Sequence, residues 1–165
     1  MKIRAKELEK GSKFDLIKKG DWIDLRAAET VEFAAPKYIY KEKRVAFDSK
    51  VIKLGVAMKL PAGLEAVVVA RSGLYKLHPV LVRNSIGVID NSYSGNTDEW
   101  KLPLIAMEAT TIEQGERICQ FRVQLSQKAT MMQKIKWLCT SSIKIEWVDN
   151  LDEVDRGGFG STGVN

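Results

Sequence analysis

The chain has 165 residues, 45% hydrophobic and 28% charged, which predicts one soluble domain burying roughly two thirds of its unfolded surface. No apolar run approaches the roughly 20 residues that span a bilayer, and the stretch Met1–Leu8 lacks a signal-peptide core, so the cytoplasm and no membrane partner are expected. The net charge of +5 suits an anionic ligand, but its cations are scattered rather than arranged as in a nucleic-acid reader, so no stable nucleic-acid binding is expected. One histidine, His78, and two cysteines, Cys119 and Cys139, argue against a disulfide framework, a zinc site or a Ser/His/Asp hydrolase. Any catalysis must run on carboxylates and a hard metal.

In chain order, Val31–Phe33 and Val45–Phe47 are weak strand candidates around a charged loop, Tyr38–Arg44. Val51–Leu60 is a longer apolar run closed by Pro61-Ala62-Gly63, and Leu64–Ala70 follows as a buried strand. Ser72 is placed to cap a short helix through Leu77, stopped by Pro79. Asn84–Gly95 predicts a hairpin with Asp90-Asn91-Ser92 near its turn. Thr111–Arg117 reads as a turn feeding the alternating strand Ile118–Leu125, in which Cys119 is a buried thiol. Thr130–Cys139 fits both periods and is assigned to strand; Ile143, Ile145 and Trp147 mark another strand. Asn150–Arg156 carries three acidic residues and reads as a linker into a glycine-rich tail. Short strands at this spacing predict an all-β barrel or sandwich.

Several segments carry residue types suited to nucleotide chemistry. Four of the 12 glycines lie in Arg156-Gly157-Gly158-Phe159-Gly160-Ser161-Thr162-Gly163, where backbone N–H groups, hydroxyls and a cation suit phosphate and one ring suits a base; the alternative is a disordered tail. Arg71-Ser72-Gly73 combines a guanidinium, a hydroxyl and a helix start, a phosphate-binding combination or a plain cap. Asp90 at a strand end can orient water, and Tyr93 can lie against a sugar, although the same residues also favour turns. Asp24, on an apolar segment, either meets Mg²⁺ through water or pairs with a cation; Gln120 is a solvated strand residue or a polar contact.

Taken in order, Asp24-Leu25-Arg26-Ala27-Ala28-Glu29, Arg71-Ser72-Gly73-Leu74, Gly87-Val88-Ile89-Asp90 with Tyr93 and Gly95, Gly115-Glu116-Arg117-Ile118-Cys119-Gln120, and Arg156–Gly163 resemble the five motifs of the trimeric dUTPase family. The resemblance implies a jelly-roll-like β-barrel over 1–150 with one short helix, and a flexible C-terminal arm over 151–165. It implies a homotrimer with shared sites, in which the arm of one subunit closes a site built by the other two. The implied reaction is Mg²⁺-assisted attack of water on the α-phosphorus of dUTP. Asp90 would activate the water and Asp24 would touch the metal shell through water. Arg71, Ser72, Gly73 and Gln120 would line the phosphates. Asn84 and the backbone of Gly87, Val88 and Ile89 would read uracil, with Tyr93 excluding a ribose 2′-hydroxyl. Phe159, beside Gly160, would stack on the base, while Arg156, Ser161 and Thr162 would clamp the outer phosphates. Ala70 replaces the family's usual proline, Ser94 its common arginine, and the tail is two residues shorter than the common pattern. The alternatives are a dCTP deaminase, or bifunctional enzyme, of the same fold using Glu99 or Glu108, and a nucleotide-sensing protein without turnover.

Overall fold

The computed structural model describes residues 1–16, 20–140 and 142–158. Its strands are short because turn chemistry interrupts nearly every apolar run: β1 (Lys2–Glu7), β2 (Ile23–Arg26), β3 (Val31–Phe33), β4 (Lys37–Ile39), β5 (Arg44–Ala46), β6 (Ser49–Lys53), β7 (Val56–Lys59) and β8 (Leu64–Ala70). After one helical turn, α1 (Leu74–Leu77), come β9 (Val80–Val82), β10 (Gly87–Ile89), β11 (Lys101–Ala106), β12 (Thr110–Ile112) and β13 (Arg117–Leu125); α2 (Met131–Leu138) and β14 (Lys144–Trp147) complete the order. The all-β expectation holds, with the described strands forming separate sheets rather than one closed barrel. No helix among the described residues is long and apolar enough to cross a membrane.

The central sheet runs β10-β8-β13-β2, flanked by β14-β1-β7 and β6-β11-β9. In β8, Leu64, Ala66 and Val68 turn inward while alternate residues stay more accessible, as a strand with one buried face requires. The core is stitched by edge-to-face rings: Trp100 against Phe121 at 5.1 Å, and Phe14 against Phe121 at 5.6 Å and Trp147 at 5.0 Å. Such contacts add about 0.5–1.5 kcal/mol per pair beyond burial. Burial also pushes the Cys119 thiol far up from its ordinary value, keeping it protonated and inert.

Four local expectations are corrected. The Val51–Leu60 run is two strands, broken at Gly55, whose φ of +66° suits glycine and whose added Cβ would fall 2.0 Å from Ser12 Oγ. The N-cap of α1 is Gly73, without a side-chain cap bond, so Ser72 is free of that duty. Residues 130–139 form the helix α2 rather than a strand. Thr130 and Gln133 close a capping box there, with Gln133 N–H donating to Thr130 Oγ1 at 3.3 Å and Thr130 N–H to Gln133 Oε1 at 2.7 Å. The predicted Asn84–Gly95 hairpin does not pair with itself: β9 pairs with β11, and β10 pairs with β8.

Asn150–Arg156 is a fastened strap rather than a loose linker. Leu151 is fully buried, and the Arg4 guanidinium donates to the carbonyls of Asn150 (2.8 Å) and Leu151 (3.1 Å) and to Asp152 Oδ2 (2.8 Å). Asn96 adds two bonds, donating to Asn150 Oδ1 at 2.7 Å and accepting from Leu151 N–H at 3.0 Å.

Candidate active site

Two groups of the expected site residues lie at opposite ends of the central sheet. The first centres on Asp24 in β2. Its Oδ1 accepts from Arg71 Nε at 2.9 Å and its Oδ2 from an Arg117 guanidinium N–H at 3.1 Å, with the Asp24 side chain only 12% exposed. Gln120 in β13 stands directly opposite Asp24 on the same sheet face. Ser72 is exposed, and Gly73 faces open space. Backbone bonds tie the segments together: Arg71 N–H donates to Ile118 O (3.2 Å), Ala27 N–H to Glu116 O (2.9 Å) and Gly115 N–H to Ala27 O (2.8 Å). His78 has a structural task here, with Nδ1 bonded to Thr110 Oγ1 at 3.0 Å and Nε2 to Glu116 Oε2 at 2.6 Å. It braces the turn before β13.

The second group surrounds Asp90, just beyond the last residue of β10. Ser92 donates to Asp90 Oδ1 from both its hydroxyl and its N–H, and an Arg156 guanidinium N–H lies 3.4 Å from the same oxygen. The Ser92 bonds, chiefly that of the hydroxyl, outweigh partial burial and, with Arg156 and Lys128, hold the carboxyl below its ordinary range. Asn91 anchors the turn by donating to the carbonyls of Leu60 (2.8 Å) and Pro61 (3.0 Å). Tyr93 donates to Glu99 O at 2.8 Å, and burial raises its phenol pKa, so it acts as a neutral donor. A Cβ added to Gly158 would lie 3.2 Å from Tyr93 Oη, so the root of the arm rests on its own chain's Asp90 turn. Phe159, Gly160, Ser161 and Thr162 lie outside the described residues.

Register gives the separation. Ile89 stands opposite Ala66, which puts Asp90 beside Glu65, whereas Arg71 follows the far end of β8. Six residues of strand at about 3.3 Å each set the Asp90 backbone roughly 20 Å from that of Arg71. Between them β10 forms an edge of the sheet, so alternate N–H and C=O groups of Gly87–Ile89 point outward, free to meet a flat polar ligand. Asn84 is exposed in the loop leading into that edge.

A dUTPase family model matches residues 35–163. Along its whole length the chain is 42% identical, over 165 residues and 99% of each sequence, to the SPbeta prophage-derived deoxyuridine 5'-triphosphate nucleotidohydrolase of Bacillus subtilis (strain 168). The chain belongs to the dUTPase family. It is also 38% identical to the deoxyuridine 5'-triphosphate nucleotidohydrolase of Escherichia phage T5, over 70% of this chain and 69% of that one. The fold is like that of dUTPase from Streptococcus mutans, with a TM-score of 0.59 and 20% identity over 71% of this chain and 88% of that one. It is equally like Staphylococcus bacteriophage 80alpha dUTPase, with a TM-score of 0.62 and 19% identity over 78% and 93%.

Within this dUTPase-family chain, sequence reasoning left several contributors without a role. Ser92 was legible as the third residue of an Asp-x-Ser turn. Arg117 lies inside a recognised motif, but its pairing with Asp24 depends on strand register. Asp98 is a local turn acceptor for Gly95 N–H, but its contact with the arm leaves no local signal, because Arg156 and Gly157 lie 58 and 59 residues away in the chain.

Proposed function

We propose that this dUTPase-family chain hydrolyses dUTP to dUMP and pyrophosphate by attack of water on the α-phosphorus, in the cytoplasm. The observation that carries the reading is Asp90: an exposed carboxylate kept ionised by Ser92 at the end of an edge strand whose backbone is free to read a base. Asp90 orients the water and takes its proton, a role that requires only hydrogen-bond reach and the ionised form. Arg156, now beside Asp90, is suited to move onto the phosphates. Its departure withdraws a cation from the carboxylate and leaves a stronger base. Gly87, Val88 and Ile89 with Asn84 read uracil by donor and acceptor pattern; cytosine reverses that pattern at positions 3 and 4, leaving polar groups unpaired at about 1–3 kcal/mol each. Tyr93 closes the sugar side against a 2′-hydroxyl. Arg71, Ser72, Gly73 and Gln120 line the phosphates, and the arm brings Phe159 to the base and Ser161 and Thr162 to the outer phosphates.

The roughly 20 Å between the Asp90 and Arg71 backbones supports a site shared between copies, as in a homotrimer, in which each half-site meets its complement on a neighbouring chain. Residues 1–150 supply the two half-sites, 151–155 continue as the strap fastened to them, and the arm proper leaves at Arg156–Gly157, beside Asp90, to reach over a shared site. Mg²⁺ suits the residues present in one way. Asp24 has lone pairs left after Arg71 and Arg117 are satisfied, enough to accept from metal-bound water. Among the described residues no cluster of three or more His, Cys, Asp or Glu could hold a metal, so phosphate oxygens and water must supply the direct ligands. When bound, the ion neutralises charge on the phosphate chain.

The deaminase alternative, which rests on Glu99 or Glu108, is disfavoured by the Gly87-Val88-Ile89-Asp90 motif and by the glycine-rich arm. Glu99 accepts Gly55 N–H at 3.1 Å, while Glu108 is exposed between β11 and β12. Incubation with dUTP, dCTP, dTTP and UTP, with and without Mg²⁺, tests the reading. Pyrophosphate from dUTP alone supports it, whereas ammonia from dCTP, or binding of dUTP without turnover, overturns it. Ser92→Ala gives a second test, since it removes the hydroxyl that most lowers the Asp90 pKa. The Asp90 carboxyl, followed by NMR, should titrate at higher pH in the variant, with the acid limb of kcat/KM moving the same way. An unmoved titration would show that Ser92 does not set the charge of Asp90.

A further inference from the structure

We infer that Asp98 is a positioning residue, a buried clasp that fixes the direction in which the C-terminal arm leaves the body at Arg156–Gly157. Asp98 is 1% exposed, and no cation is paired with it among the described residues. Its charge is met by backbone donors. Oδ2 accepts from Gly95 N–H at 2.8 Å and Arg156 N–H at 2.9 Å, and Oδ1 accepts from Gly157 N–H at 2.9 Å and Arg156 N–H at 3.1 Å. A buried carboxylate left with fewer donors would be costly, so the two segments stay together while it is ionised. Burial disfavours that charge, but the N–H groups of Arg156, Gly95, Gly157 and Ser94 outweigh it and keep the group below its ordinary pKa.

A second contact locks the same two segments. Asp155 Oδ1 accepts from Thr97 N–H at 2.7 Å, and Gly95 lies so close that an added Cβ would fall 2.4 Å from Asp155 Cα. Only a residue without a side chain lets the two backbones approach in this way. Beyond the clasp, Arg156 reaches Asp90 and Gly158 passes Tyr93. Both contacts depend on where the chain exits. Asp98 thus acts on the chemistry through Arg156 and the residues after it, without touching substrate itself. The kinetic part of this inference rests on the dUTP-hydrolysis reading; the conformational part does not.

The test uses the full-length protein and compares Asp98→Asn with wild type. The amide keeps the shape but turns donors toward backbone donors. Three measurements are made: thermal unfolding, trypsin cleavage after Arg156 (release of residues 157–165, by mass spectrometry), and steady-state hydrolysis of dUTP. The expected result is near-unchanged unfolding, cleavage after Arg156 at least about tenfold faster, and kcat/KM lower by about ten- to a hundredfold, on the scale of lost charge-assisted hydrogen bonds. Asp155→Ala, at an exposed position, should shift cleavage and kcat/KM the same way by less, and it carries the test if Asp98→Asn fails to fold. Unchanged cleavage after Arg156 in a folded variant overturns the clasp. So does a fall in kcat/KM without faster cleavage, which would place the role of Asp98 in the body. If wild type shows no turnover of dUTP, the functional reading fails, while the cleavage rates still decide the clasp.

Discussion

Asp90→Asn should bind dUTP at near wild-type affinity and hydrolyse it about 10²–10⁴-fold more slowly, the range for loss of a positioned general base. The substitution keeps shape and an acceptor oxygen for Ser92 but removes the charge that takes the proton from water. The fold should be untouched, because Asp90 is exposed and its turn is anchored separately by Asn91 on the carbonyls of Leu60 and Pro61. Removing one carboxylate also lowers repulsion of the triphosphate, so binding should not weaken. Calorimetric titration with a non-hydrolysable dUTP analogue, beside steady-state rates, separates the two quantities. Turnover within a few-fold of wild type would show that another group activates the water.

Deleting residues 156–165 should leave a folded body and reduce kcat/KM for dUTP by about 10²–10³-fold, the scale of losing preorganised charge and a closing segment. Every described strand ends by Trp147, and the last buried apolar residue among the described residues is Leu151, so the strands and the described core all lie ahead of the deletion. It does remove Arg156 together with the hydroxyls and ring expected to meet substrate. It also strips Asp98 of two of its backbone donors, at Arg156 and Gly157. That carboxyl should therefore titrate closer to its ordinary value. The group's lowered pKa stabilises the closed clasp above the ordinary carboxylate range, and that contribution is lost only as pH falls through the lowered value. Circular dichroism and unfolding temperature check the body, and kinetics check the arm. Wild-type turnover after the deletion would make the arm dispensable.

Legibility followed the range of the interactions. Phe33, Leu64, Phe121 and Ile145 lie on strands whose apolar alternation or run length announces them locally, and the structure places each where its pattern predicts. Residues 130–139 misled because α2 fully buries none of its residues: Met131, Met132, Ile135 and Leu138 are exposed and Trp137 alone of its apolar residues packs, half-buried, against the core, too little to discipline the period. The Thr130–Gln133 capping pair was the sounder signal. Gly55 was overlooked inside an apolar run because the need for glycine comes from Ser12, far away in sequence. The strap at 150–157 looked like a linker since acidic residues usually solvate a loop, yet Arg4, Asn96 and Asp98 turn its backbone into a packed element.

The sequence by itself determined the all-β class and the order of the five motifs with the residues they contain, because strand patterning and motif composition are properties of neighbouring residues. It could not place those residues relative to one another. Only the tertiary structure decided that Asp24 is gripped by Arg71 and Arg117, that Asp90 and Arg71 sit at opposite ends of one sheet, and that Asp98 holds the exit of the arm. Each of these depends on strand register and on segments tens of residues apart, whose meeting is set by the burial of a shared core and leaves no mark on the local sequence.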